Sequence, residues 1–215
     1  MTRPLPTEKA LLKGPDGNIE ALIDAPAEVR GIALVAHPHP LFGGANTNKV
    51  AHTLARAFRD LGFATLRPNF RGVGASDGAH DHGGAETEDL LAVLSWAQSR
   101  WGSLPIGLGG FSFGAFVQTR VAARLAPGVT PPDRIVLVGT AAGEVTGARS
   151  YSTENVPAGT LLIHGELDET VALANVLDWA RPQELPVVVV PGADHFFHGK
   201  LHVIREIISR NWQAL

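Results

Sequence analysis

The chain has 215 residues, of which 45% are hydrophobic and 18% charged, with a net charge of −3 and no cysteine. That is the make-up of an ordinary globular protein, and with no internal repeat, low-complexity tract or linker the sequence reads as one domain over 1–215. The small negative charge gives no electrostatic case for nucleic acid or an anionic membrane, the missing thiols exclude disulfides and thiolate chemistry, and the lack of an apolar leader or spanning run makes a cytoplasmic protein the expectation.

Residues 1–6 are proline-rich and read as loose. The stretches 8–13 and 18–23 flank Gly14-Pro15-Asp16-Gly17, a hairpin signal. Gly31-Ile32-Ala33-Leu34-Val35-Ala36 is a continuous apolar run, as expected of a strand buried on both faces. It leads into His37-Pro38-His39-Pro40-Leu41-Phe42-Gly43-Gly44, whose prolines and glycines exclude a helix. Asn46 or Thr47 then caps a helix carrying Val50, Leu54, Ala57, Phe58 and Leu61. A strand over Phe63–Leu66 and a loop over Arg71–Gly78 follow, and the acidic turn Glu86–Asp89 opens a helix with Leu90, Leu91, Val93 and Leu94. The rest reads as strand Ile106–Phe111, helix from Phe113, strand Arg134–Val138, an irregular stretch 139–158, strand Thr160–His164, helix 171–181, strand Val187–Val190 and a closing helix 199–211. Strands alternating with helices predict an α/β fold. Its sheet is mostly parallel and twisted, of about seven to eight strands, with helices on both faces and the leading hairpin antiparallel at one edge.

Ser112 stands where the strand at 106–111 turns into a helix marked by Phe116, Val117, Val121 and Leu125. Gly110 and Gly114 flank it in the pattern Gly-x-Ser-x-Gly. A sharp strand-to-helix turn strains the central residue, and glycine two positions away on each side avoids a collision. The turn should expose the hydroxyl at the tip of the sheet, next to the free N–H groups of a helix start. A serine hydroxyl needs a base. Of the 9 histidines, His195 is well placed, in a loop just past the strand at 187–190, with His198 as its competitor. The base in turn needs an acid, for which Asp168 competes with Glu166 and Glu169, while Asp168 or Thr170 could instead cap the next helix.

The order of nucleophile, acid and histidine resembles the α/β-hydrolase fold. The strings His37–Gly44, Arg71–Gly78, His164-Gly165-Glu166-Leu167-Asp168-Glu169-Thr170-Val171 and Gly192-Ala193-Asp194-His195-Phe196-Phe197 narrow it. They are similar to a group of small bacterial serine hydrolases without a cap, distantly related to dienelactone hydrolase. This chain has serine where dienelactone hydrolase has cysteine, so dienelactone chemistry does not carry over. The resemblance implies a catalytic set of Ser112, Asp168 and His195. One oxyanion donor is the N–H of Phe113, directly after the nucleophile. The likeness of Leu-Phe-Gly to the related loop of dienelactone hydrolases points to the N–H of Leu41 as the second, with His39 as the alternative. His39, Phe42 and Phe196 are the expected pocket residues.

His37, His39, His80 and His82 invite a metal reading, but their spacing fits no zinc pattern, so neither metal nor cofactor is expected. Arg71 reads as a structural ion-pair residue. The stretch 139–158 offers no amphipathic helix pair to cover a cleft, which predicts an open site, no cap domain and a preference for short acyl groups. The expected activity is carboxylesterase-like (EC 3.1.1) on a small-molecule ester, by a monomer or small homo-oligomer. The alternatives are a thioesterase, peptidase or acyltransferase with the same residues, or a hydrolase-like binding protein.

Overall fold

The computed structural model describes residues 6–125, 132–147 and 149–213. The proline-rich start expected to be loose lies mostly outside them.

Strands β1 (Glu8–Gly14) and β2 (Gly17–Asp24) form the leading hairpin, paired antiparallel with Gly14 opposite Gly17. Next come β3 (Gly31–Ala36), helix α1 (Lys49–Asp60), β4 (Phe63–Pro68), α2 (Gly84–Trp101), β5 (Ile106–Phe111) and α3 (Phe113–Leu125). After β6 (Arg134–Val138) the chain makes a short hairpin of β7 (Gly143–Val145) and β8 (Arg149–Tyr151), then β9 (Leu161–Gly165), α4 (Leu173–Ala180), β10 (Val187–Val190) and α5 (Leu201–Asn211). The main sheet has eight strands in the order β1-β2-β4-β3-β5-β6-β9-β10. The six strands β4, β3, β5, β6, β9 and β10 pair in parallel, and β2 joins β4 antiparallel.

The continuous apolar runs become central strands because both faces of the sheet are covered. Every residue of β3, β4 and β5 is buried. One face packs α2, α3 and α4 through residues such as Leu90, Val93, Val117 and Val176. The other packs α1 and α5 through Leu54, Phe58, Ile204 and Ile208. Parallel order brings the loops after β3, β4, β5, β9 and β10 to one edge, the carboxyl ends of the strands.

Three local expectations change. Asn48, not Asn46 or Thr47, caps α1, its Oδ1 accepting from Val50 N (2.9 Å) and Ala51 N (3.2 Å). Asn46 is buried and engaged elsewhere: its N–H donates to Asn69 Oδ1 and its carbonyl accepts from Arg67. Residues Pro40–Phe42 form one turn of 3-10 helix, which a proline at its start permits. The stretch 139–158 contains the β7–β8 hairpin. Thr146 fastens it to the loop after β9, donating from N to Thr170 O (3.1 Å) and from Oγ1 to Glu169 O (2.8 Å), and Asn175 of α4 donates to Glu144 O. Among the described residues no helix is inserted between β6 and β9, and no helix is long and apolar enough to cross a membrane.

Candidate active site

Ser112 has φ of 57°, the strained left-handed region expected of the turn. The flanking glycines are required by close approach. A Cβ on Gly110 would lie 2.5 Å from Ala115 Cα, across the turn, and one on Gly114 would lie 2.4 Å from the carbonyl oxygens of Ala36 and His37. Gly110 therefore lets the elbow fold back on itself, and Gly114 lets α3 dock against the end of β3. The hydroxyl differs from expectation in exposure: Ser112 is 8% exposed, buried beside His195 rather than standing in solvent.

His195 Nε2 lies 3.0 Å from Ser112 Oγ, and Nδ1 lies 2.6 Å from Asp168 Oδ2. The two readings of Asp168 are both realised, one on each oxygen. Oδ2 meets His195, while Oδ1 accepts from Thr170 N (2.9 Å) and Val171 N (2.8 Å) and so closes the turn ahead of α4. The rivals are placed elsewhere. Glu166 Oε2 accepts from Gly192 N (2.7 Å), tying the β9 loop to the β10 loop, and the carbonyl of Glu169 holds Thr146. His198 is exposed and its Nδ1 pairs with Asp194 Oδ2 at 2.6 Å. His195 itself is 4% exposed and is wedged between the rings of Phe111 and Phe196, with centroids at 4.8 and 5.1 Å.

A buried histidine backs the acid. His164 Nε2 is 3.0 Å from Val171 O and 3.5 Å from Asp168 Oδ2, and burial lowers its pKa. Sequence reasoning passed it by, since it reads as the end of an apolar strand. His37 is buried too. Its Nδ1–H donates to Pro38 O (2.7 Å) and its Nε2 accepts from Phe70 N (2.9 Å), so it locks the β3 loop to the β4 loop. Burial pushes its pKa down to about 4.

The expected oxyanion donors divide. Phe113 N–H stands at the first position of α3, where no intrahelical acceptor exists. Leu41 N–H instead donates to His39 Nδ1 at 3.3 Å, while the residue as a whole is 71% exposed. The His39 N–H has no acceptor among the described residues. Burial, with help from the neighbouring His80 and the Arg149 guanidinium, pushes the His39 imidazole down to about 4, so it is neutral and free to accept from Leu41.

Two clefts flank the site. One, of about 450 Å³, is lined by His39, Phe42, Phe113, Phe116 and the tip and second strand of the β7–β8 hairpin, including Arg149 and Tyr151. The other, of about 380 Å³, is lined by Phe196, Phe197, His198 and the start of α1. His39 and Phe42 thus share a cleft, and Phe196 lies in the other. The hairpin residues escaped sequence analysis, although Tyr151 is the chain's one tyrosine and stands in a stretch otherwise rich in small residues.

His80 and His82 also line the first cleft. The rings of His39, His80 and His82 pack in a row, the first pair tilted and the second edge-on, with centroids 4.6 and 4.8 Å apart, and His80 Nδ1 meets the buried Glu86 at 2.7 Å. Among the described residues no group of three or more ligating side chains could hold a metal ion. Arg71 pairs bidentately with Asp89 (2.9 and 3.0 Å) and with Asp16 (2.8 Å), a structural clamp under the β4 loop.

Residues 18–136 match the family model described as X-Pro dipeptidyl-peptidase (S15 family). The uncharacterized protein RP471 of Rickettsia prowazekii (strain Madrid E) is 30% identical over 213 residues, covering 91% of this chain and 84% of that one. Among solved structures, XC6422 of Xanthomonas campestris, described as an α/β serine hydrolase without lid, superposes with a TM-score of 0.84 at 35% identity, covering 98% of this chain and 96% of that one. An α/β serine hydrolase homologue from Coxiella burnetii superposes with a TM-score of 0.83 at 39% identity, covering 98% and 99%. The strained serine elbow, the uncapped sheet and these likenesses converge: the chain belongs to the α/β serine hydrolases, within the family matched by the S15 model, and is of their lidless kind.

Proposed function

We propose that the protein hydrolyses small carboxylic esters through an acyl-enzyme on Ser112. The observation that carries this reading is the unbroken hydrogen-bonded line from Ser112 Oγ through His195 to Asp168 Oδ2, flanked by clefts that no carboxylate lines among the described residues. His195 Nε2 takes the Ser112 proton as Oγ bonds to the ester carbonyl carbon. Asp168 holds Nδ1–H and stabilises the imidazolium. The oxyanion rests on the N–H of Phe113 and, because the Leu41 N–H is turned to an imidazole, on the N–H of His39. The ester C–O bond then breaks, and the alcohol leaves with the proton from His195. Water, deprotonated by His195, attacks the acyl-enzyme and releases the acid.

The S15 name raises a second reading, amide cleavage near a free N-terminus. A substrate of that kind carries an ammonium group, which a buried carboxylate would recognise. Among the described residues the clefts offer none. On the ester reading the chain works as one domain in the cytoplasm, on a small molecule, without cofactor, nucleic acid or membrane, as a monomer or small homo-oligomer.

The test is a panel of p-nitrophenyl esters from acetate to decanoate, an acyl thioester and an Ala-Pro p-nitroanilide, with the adduct of a fluorophosphonate located by mass spectrometry. We expect the adduct on Ser112 and kcat/KM highest from acetate to butyrate, because the described residues form two open clefts beside the site and not an enclosed tunnel that would gain the roughly 0.8 kcal/mol per buried methylene. Preference for the anilide, or an adduct on another residue, overturns the reading.

A further inference from the structure

We propose that the cleft beside Phe113 takes an acyl group that ends in an anion, and that Arg149 is the residue that selects it. The proposal rests on the ester-hydrolase reading for the direction of the substrate, and on the cleft itself for its chemistry.

Direction comes first. His195 must hand its proton to the leaving oxygen, so the alcohol departs on the His195 side, where Phe196 and His198 line the second cleft. The acyl group then extends the other way, past Phe113 and His39. Those two residues carry the N–H groups assigned to the oxyanion, and both line the first cleft. A volume of about 450 Å³ is within the range of small-molecule sites.

The walls of that cleft are aromatic. Phe113, Phe116 and Tyr151 pack against one another, with Tyr151 centroids 6.1 and 5.0 Å from those of the two phenylalanines. Phe42 closes the opposite side, its ring 4.9 Å from His39. Such walls suit a flat or short apolar body.

Among the described residues the mouth carries one permanent charge. The Arg149 guanidinium lies 4.2 Å from the centroid of Phe42, and its Nε and Nη2 donate to Thr146 O at 3.2 and 2.7 Å. These bonds fix the plane of the group. Burial raises the pKa of the Tyr151 phenol, and the guanidinium beside it works the other way; both of these neighbours are neutral and leave the charge uncompensated. Elsewhere the chain spends arginines on carboxylates: Arg67 on Asp24, Arg71 on Asp89, Arg100 on Glu8 and Arg205 on Asp60. Arg149 has no carboxylate partner among the described residues, and no Asp or Glu lines the cleft. Glu86, behind His80, is consumed by the His80 ring and by the N–H groups of Asp81 and Gly83. A preoriented, unneutralised guanidinium over an aromatic slot complements a carboxylate or phosphate at the far end of the acyl group.

Two esters of matched shape test this: p-nitrophenyl 4-carboxybenzoate, which is anionic, and p-nitrophenyl 4-(methoxycarbonyl)benzoate, which is neutral. The para geometry keeps the carboxylate from attacking its own ester. The quantity read is the ratio of kcat/KM for the anionic over the neutral ester. In Arg149→Gln that ratio falls on the order of 10- to 100-fold, the span of one hydrogen bond to a charged group. Arg149→Lys, which keeps the charge and loses the fork, falls between. Binding of terephthalate, measured by calorimetry on protein with unchanged near-ultraviolet dichroism, is lost in Arg149→Gln. If the ratio and terephthalate binding are the same in Arg149→Gln as in the native protein, the anion site is wrong while the ester reading stands. If terephthalate binding depends on Arg149 but neither ester is turned over, the ester reading is wrong and the anion site stands.

Discussion

Replacing Asp168 by asparagine separates the two duties of this side chain. Oδ1 accepts two backbone N–H groups, from Thr170 and Val171, and Oδ2 accepts one N–H from His195. The amide that takes the place of the carboxylate can present oxygen to only one of these faces. Turning its NH2 toward Thr170 and Val171 would leave one buried and one half-buried donor unsatisfied, the buried one at about 1–3 kcal/mol. Turning the NH2 toward His195 costs only a change of tautomer, so that orientation wins. The imidazole must then accept at Nδ1 and carry its proton on Nε2, facing Ser112 Oγ, where it can no longer act as a base. The expected loss is on the order of 10⁴ in kcat, about 5.5 kcal/mol of transition-state stabilisation. Because the turn before α4 keeps its cap, the melting temperature should stay within a few degrees of the native value. Steady-state hydrolysis of p-nitrophenyl acetate and a thermal melt measure the two effects. Glu166→Gln, which still accepts from Gly192, should leave kcat within a few-fold. Retention of activity in Asp168→Asn together with its collapse in Glu166→Gln would refute the reasoning.

Three further outcomes follow from the geometry. At the elbow, Ser112→Gly should be more stable than Ser112→Ala by about 1–2 kcal/mol in denaturant melts, since only glycine relieves the left-handed backbone; equal stabilities would mean that φ of 57° carries no strain. His39 has φ of −53°, which proline tolerates, so His39→Pro removes its N–H and should lower kcat on the order of 10²–10³ relative to His39→Ala; equal kcat would return the second donor to Leu41. His37 takes up a proton only near pH 4 in the fold, against about 6.5 in the unfolded chain. Its contribution is therefore full above about pH 6.5 and is lost as pH falls toward 4, at up to about 1.4 kcal/mol per pH unit. His37→Asn should be less stable at neutral pH and show a shallower loss across that window in urea melts; a parallel slope would assign the acid sensitivity elsewhere.

The parts of this molecule that were legible in its sequence are those with a long pattern or a fixed local geometry. The apolar runs of β3 and β5 announce buried strands, and Gly110-Phe111-Ser112-Phe113-Gly114 announces a turn that only such spacing permits. Asp168 and His195 were separated from Glu166, Glu169 and His198 by the resemblance to α/β-hydrolases, not by any local pattern. What escaped notice depends on three-dimensional neighbours. Asn48 caps α1 because Asn46 is drawn into the Arg67 and Asn69 network, a competition invisible along the chain. The β7–β8 hairpin has strands of three residues, too short for alternation to register, so Arg149 and Tyr151 went unread. Whether the Leu41 N–H meets an acceptor depends on the His39 ring rotamer, which no spacing specifies.

The fastening of that hairpin ties two properties together. Thr146 hangs it from Glu169 and Thr170, and Thr170 is one of the two residues that Asp168 grips. The wall of the proposed acyl cleft and the loop that holds Asp168 against His195 are thus tied together. Lengthening or grafting the hairpin to broaden the substrate range would tug on the acid as well, so redesigned pockets should lose turnover along with selectivity. A second change at Thr146 that slackens the tether offers a route by which new specificity and restored rate could be acquired in separate steps.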